Sequence, residues 1–290
     1  MKKKVKYADI PELQTVKEIV AYGAEHGKDK KQYMYMNLQN EVCTKTFNEV
    51  WYDTTGMGQY LYKLGMRGKK VAIISENSYN WVAAYFSIIT GKMTAVPIDP
   101  KLPYEDIANL VAHSECSAVY YSDEFEPCME VIKNTPDVIV TEYIRLDDMD
   151  NIVKMGHDEL ANGAANYLDD EVLPDDLAFI VYTSGTTGKS KGVMLTQNNV
   201  ASDVIASLRV MVGGHAIGFL PLHHCFCWVG ALFTGCMLTE WGYLCRSLKD
   251  IQKDMENYHP QNFSAVPLAV ETIYKRIWFT AKKSGREEIL

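Results

Sequence analysis

The sequence predicts an α/β protein in which a largely parallel sheet is layered with flanking helices, and two observations carry that expectation. Apolar runs of about four residues alternate along the chain with longer segments of helical period. A chain of 290 residues, 47% hydrophobic and 23% charged, is also enough for a substantial buried core in one large domain or two intimate ones.

The elements follow in order. Thr46-Phe-Asn-Glu49 fits a capping box, the Thr oxygen and the Glu carboxylate satisfying free amides at a helix start. That helix is expected to run to about residue 66, where Gly65 and Gly68 punctuate the chain. Three strand–helix pairs come next: 71–74 with 81–89, 95–98 with 104–112, and 118–121 with 125–132. Residues 138–140 and 177–182 read as further buried strands. Between them, 147–176 is acidic and irregular and forms the best internal boundary. A strand near 217–220, a helix over about 228–238, a strand near 263–266 and a helix over about 268–282 complete the pattern, with no internal repeat.

Charge and cysteine usage narrow the function classes. Lys plus Arg is 29 against 37 Asp plus Glu, and the net charge of -8 argues against non-specific binding to nucleic acid or to an anionic membrane surface. A small-molecule partner is expected instead. Met1-Lys-Lys-Lys-Val-Lys6 has the charges of a signal peptide, but no apolar segment of roughly 7 to 15 residues follows it. The odd set Cys43, Cys116, Cys128, Cys225, Cys227, Cys236 and Cys245 contains no CxxC pair and suits free thiols in a reducing cytoplasm. Residues 210–239 carry no Asp, Glu, Lys or Arg. Gly213-Gly214-His215, Pro221 and His223-His224 interrupt that run with groups costly in lipid, so a buried strand, a loop and a buried helix are expected there and not a membrane span.

The chemistry concentrates in Ala178-Phe-Ile-Val-Tyr-Thr-Ser-Gly-Thr-Thr-Gly-Lys-Ser-Lys-Gly-Val193, a buried strand running straight into a loop of Gly, Ser, Thr and Lys. Gly185 and Gly188 permit close backbone approach, so amides can point at an anion. Thr183, Ser184, Thr186 and Thr187 add hydroxyl donors, and Lys189 and Lys191 add positive charge. A Walker A loop would need a glycine five places before Gly188, where Thr183 stands. A plain solvated turn explains glycine and serine but not this density of hydroxyls and lysines behind a buried strand.

The stretch Tyr182-Thr-Ser-Gly-Thr-Thr-Gly-Lys-Ser-Lys-Gly-Val193 resembles the signature loop of the AMP-forming adenylating superfamily: acyl-CoA synthetases, peptide-synthetase adenylation domains and firefly luciferase. Ser190 stands where proline is frequent, and in Leu195-Thr-Gln-Asn-Asn199 Gln197 replaces the usual histidine. Segments 70–81 and 91–100 look like the two that precede the loop in acyl-CoA synthetases, and Phe219-Leu-Pro-Leu-His-His224 looks like the element bordering the acid pocket. Residues 266–277 resemble the Val-Pro-x-x-x-Glu helix of the fatty-acid-activating branch, so the likeness runs from about Thr46 to the end and is nearest to bacterial long-chain fatty-acid–CoA ligases.

That resemblance implies a partial N-terminal AMP-binding domain over 1–290, an incomplete form of the acyl-adenylating fold lacking the mobile C-terminal domain. The family's adenine, ribose and C-terminal lysine motifs do not follow Glu271, so a fragment unlikely to complete the reaction alone is expected. The implied reaction joins a carboxylic acid, a fatty acid first, to AMP from ATP and Mg2+ and then to coenzyme A, with pyrophosphate released. The implied phosphate-binding residues are Thr183, Ser184, Gly185, Thr186, Thr187, Gly188 and Lys191, and the implied catalytic residue is His224, near the acid's carboxylate, ahead of His223. Gly230, Ala231 and Gly235 would leave room for an alkyl chain beside Phe226 and Trp228, or simply allow close packing. No metal site is expected from His223, His224, Cys225 and Cys227, because structural zinc sites separate their ligand pairs in sequence. The alternatives are an acyl-AMP ligase that loads a carrier protein and a non-catalytic nucleotide-binding protein.

Overall fold

The computed structural model describes residues 10–37, 39–183, 190–210, 213–245 and 250–285. It opens with two features not anticipated from the sequence. Helix α1 (Val16–Gly27) is capped by Thr15, whose hydroxyl accepts from Glu18 N while the Glu18 carboxylate accepts from Thr15 N. Strands β1 (Lys31–Met36) and β2 (Val42–Thr46) then form an antiparallel hairpin. Helix α2 (Phe47–Lys63) starts where its Thr46–Glu49 box predicts, with both reciprocal bonds present.

The expected alternation follows: β3 (Lys70–Ile74), α3 (Tyr79–Ile89), β4 (Thr94–Pro97), α4 (Tyr104–His113), β5 (Ala118–Tyr121) and α5 (Glu126–Lys133). The next strand is β6 (Glu142–Arg145), so residues 138–140 are not a strand, and Ile139 is 55% exposed. Residues between α5 and β6 carry the chain back to the sheet's amino edge, where Thr141 N donates to Ser117 O just before pairing begins. The stretch 147–176 is not irregular throughout. It contains helix α6 (Met149–Ala161), whose buried Met149, Ile152, Val153 and Gly156 fall on one helical face. Gly156 lies so close to α2 that an added Cβ would sit 1.8 Å from Gly56 O.

Strand β7 (Leu177–Thr183) pairs antiparallel with β8 (Lys191–Thr196), which leads into α7 (Gln197–Leu208). Beyond it come β9 (Ala216–Gly218), the short α8 (Cys225–Cys227), a π-helical turn over Trp228–Phe233, α9 (Thr234–Leu238), β10 (Gly242–Leu244), α10 (Ile251–Tyr258), β11 (Asn262–Phe263) and α11 (Pro267–Lys283). The single helix expected over 228–238 is thus a π turn followed by α9. No helix among the described residues is long and apolar enough to cross a membrane.

Two sheets organise these elements. One has the order β6-β5-β3-β4-β7-β8, parallel except for its last pair, and the other β11-β9-β10-β1-β2, parallel except for β1–β2. Alternation along the strands gives the six-stranded sheet two buried faces. Ala72, Ile74, Val96, Val119 and Tyr121 pack against α4 and α5, whereas Val71, Ile73, Ala95, Tyr120 and Phe179 join the larger core. That core takes in α1, α2, α3, α6 and α7 and reaches the five-stranded sheet, where Tyr35 of β1 stacks on Tyr79 of α3 with centroids 4.9 Å apart. In the alternate row of the same sheet, Tyr243 stacks on Tyr258 of α10 at 3.9 Å. The layers are therefore helix, sheet, helix, sheet, helix.

Candidate functional site

Strands β3, β4, β5, β6 and β7 run parallel, so their carboxyl ends share one edge, and the order reverses about β3: the chain steps to β4 on one side and returns to β5 on the other. The crevice outside the carboxyl ends at such a switch is where open α/β sheets bind ligands. Asn77 follows β3, Asp99 follows β4, and Thr183 closes β7.

The signature segment leaves from this edge. Thr183 ends β7, Lys191 starts β8, and the two are register partners, both exposed. Ser184, Gly185, Thr186, Thr187 and Gly188 lie outside the described residues. The launching strand is anchored one residue earlier: the Tyr182 hydroxyl donates to Leu110 O at 3.2 Å and shares a 2.8 Å hydrogen bond with His113 Nδ1 at the end of α4. Burial raises the Tyr182 pKa.

From the other sheet, β9 runs into residues 219–224, which Asn77 fixes to the crevice. Its amide donates to Leu220 O at 2.9 Å and accepts from Leu222 N at 2.9 Å. His224 follows as the residue before α8 and is exposed, its ring centroid 4.5 Å from that of His223. His223 is the more enclosed of the two, 11% exposed at the side chain, with Nε2 3.7 Å from Asp99 Oδ1. Burial pushes the His223 pKa down to about 4, outweighing the opposing pull of Asp99, so the pair is a neutral imidazole beside a carboxylate and not an ion pair at neutral pH.

The proposed acyl-chain neighbours separate. Trp228 is fully buried and stacked on Phe179 at 4.7 Å, so it belongs to the core, while Phe226 is 52% exposed. The side chains at 230 and 231 lie outside the description. Cys227 is buried and its thiol pKa rises to about 12 by desolvation, which suits a small core hydrophobe.

Sequence reasoning missed Gln197 as a structural centre. Its side chain is 1% exposed, accepts from Val16 N at 2.9 Å and Lys17 N at 3.4 Å, and donates to Ile89 O at 3.1 Å. One amide thereby satisfies the start of α1 and the end of α3 from the first turn of α7. Asn77 and Asp99 were also missed. Their signal was positional: a polar residue within three places of a buried parallel strand's carboxyl end.

The profile of the AMP-binding enzyme family matches residues 21–288, and the chain belongs to that family. It is 28% identical over 245 residues to long-chain-fatty-acid–CoA ligase 5 of Rattus norvegicus, a match covering 76% of this chain and 35% of the rat protein. It is 24% identical over 269 residues to the chloroplastic long-chain fatty acid–acyl carrier protein ligase of Arabidopsis thaliana, covering 83% and 37% respectively. Among solved structures, the N-terminal domain of FACL13 from Mycobacterium tuberculosis superposes with a TM-score of 0.76 at 20% identity, over 90% of this chain and 65% of that one. The chain therefore spans little more than a third of the length of these two curated relatives.

Proposed function

We propose that this chain is the N-terminal part of an AMP-forming acid–CoA ligase that activates a fatty acid. The carrying observation is the meeting, at one carboxyl edge, of the Thr183–Lys191 hairpin mouth and the Asn77-anchored turn bearing His224. In the first half-reaction a carboxylate oxygen of the acid attacks the α-phosphorus of ATP, and pyrophosphate departs with the electron pair of the broken P–O bond. Two anions must approach, so the protein's task is positioning and charge stabilisation. Thr183, Ser184, Gly185, Thr186, Thr187 and Gly188 with Lys191 supply amide, hydroxyl and ammonium donors to the β- and γ-phosphates, and His224 borders the acid's carboxylate. In the second half-reaction the coenzyme A thiolate displaces AMP.

Among the described residues no three His, Cys, Asp or Glu side chains gather as metal ligands. Mg2+, which the resemblance implies, would be held largely by the phosphate oxygens of ATP and by water, and would neutralise part of their charge. None of the seven cysteines forms a disulfide, which is in keeping with a reducing, cytoplasmic setting. A carrier protein in place of coenzyme A is a second reading, favoured by the likeness to the Arabidopsis ligase.

The test is carboxylate-dependent ATP–pyrophosphate exchange with fatty and aromatic acids, run on this chain and on the chain extended through any reading frame that follows it. Exchange that requires a fatty acid supports the proposal, and exchange with aromatic acids alone moves the substrate class. No exchange by either form rejects acid activation. Thioester formation on coenzyme A or on a carrier protein separates the two acceptors.

A further inference from the structure

The two bridges between the sheets at the crevice are unequal. Asn77 holds the 220–222 backbone with both ends of its amide. Immediately beyond, His223 Nε2 is buried without a hydrogen-bond partner among the described residues. A buried ring nitrogen left in this state is uncommon and calls for an explanation. Asp99 Oδ1, following β4 next to β3, stands 3.7 Å away, short of hydrogen-bond distance by about 0.7 Å. The acceptor is already fixed in place, since the same Oδ1 accepts from Lys101 N at 3.0 Å.

We infer that His223 and Asp99 form a latch which, on closing, fixes the turn carrying His224 against the carboxyl edge of the six-stranded sheet. His223 is a positioning residue and acts through its neighbour. A carboxylate on one sheet and an unpaired Nε2 on a loop of the other need only a sub-ångström shift to make, in the Nε2–H tautomer, a charge-assisted bond. Consecutive Cα atoms lie about 3.8 Å apart, so a shift at residue 223 is carried to His224. Burial keeps the imidazole neutral, its pKa lowered to about 4, with His224 and Lys101 lowering it further against the raising effect of Asp99. The latch is thus an N–H donor facing a carboxylate throughout the neutral range. Its role toward the acid rests on the proposed function above; its existence does not.

Imidazole 15N–1H NMR on the 290-residue chain tests the latch without any ligand. The expected result is an Nε2–H tautomer for His223, with solvent exchange of that proton about ten-fold slower than at His224, the protection of one net hydrogen bond. Asp99→Ala abolishes the protection and shifts the His224 resonances. His223→Gln, which keeps an N–H donor, leaves His224 closer to its native position than His223→Ala does. An Nδ1–H tautomer, or unchanged exchange in Asp99→Ala, overturns the latch. In the exchange-active form, Asp99→Ala is expected to raise the KM for the acid about ten-fold with kcat changed far less. An unchanged KM removes the positioning role, whereas absence of exchange in the native sequence rejects acid activation and leaves the latch to be decided by the resonances.

Discussion

Thr183 and Lys191 face each other as register partners across the open mouth of the β7–β8 hairpin. The signature segment therefore leaves one strand and returns on its antiparallel neighbour, where a strand running into a helix would have been the simpler expectation. An antiparallel ladder brings the two ends of the segment side by side, so a hydroxyl and an ammonium flank its base from opposite strands.

Replacing Lys191 by Ala is expected to lower acid-dependent pyrophosphate exchange about 100-fold, the usual effect of removing one preorganised donor. Lys191 is exposed, so thermal unfolding should move little. Loss of exchange together with a large fall in Tm would assign the lysine to folding and not to phosphate binding.

Gln197→Ala strands the buried Val16 N–H and Ile89 carbonyl at once. Each unsatisfied group costs about 1–3 kcal/mol, so urea unfolding should show a loss of about 2–6 kcal/mol. Gln197→His is expected to lose less, because a neutral imidazole retains one donor and one acceptor. Equal losses in both variants would show that the imidazole replaces neither bond.

Gly156→Ala drives a methyl group to within 1.8 Å of Gly56 O, a backbone atom that cannot rotate away. Helices α2 and α6 must part, with an expected destabilisation of about 2–3 kcal/mol by denaturant titration. Gly163→Ala is a suitable comparison: its φ of +88° strains a side chain, but nothing lies within 4 Å, so its cost should stay near 1 kcal/mol, about the left-handed penalty alone.

His223 gives a pH dependence whose sign follows from proton counting. The unfolded histidine binds a proton near 6.5 and the folded one near 4, so between these values the unfolded chain holds more protons and stability rises with pH. Native protein is expected to lose about 2 kcal/mol more than His223→Gln between pH 7 and pH 5. Parallel pH profiles for the two would mean that the ring is hydrated in the folded protein.

Helix α2 and strands β3, β4, β5 and β7 were legible because local signals agree with the final environment: a Thr46–Glu49 box, short apolar runs and glycine stops. Helix α6 had the same kind of signal, with Met149, Ile152, Val153 and Gly156 at helical spacing, but its acidic neighbours read as an irregular boundary. Strand β8 carries exposed Val193 and Met194 on a sheet edge, so its side chains do not announce a buried strand. Strands β9 and β11 fall close to the strands expected near 217–220 and 263–266, whereas β10 is three residues long, too short for any periodicity.

By itself the sequence determined the α/β class, most of the parallel strands and the signature segment, since these depend on apolar spacing and on residue types read within a few positions. Only the tertiary structure decided that Asn77 meets residues 220–222, that Asp99 approaches His223, and that Gln197 joins α1 to α3. These contacts span more than 100 residues, and which polar groups meet across such a distance is set by how the two sheets stack, a consequence of the whole buried core that no local pattern encodes.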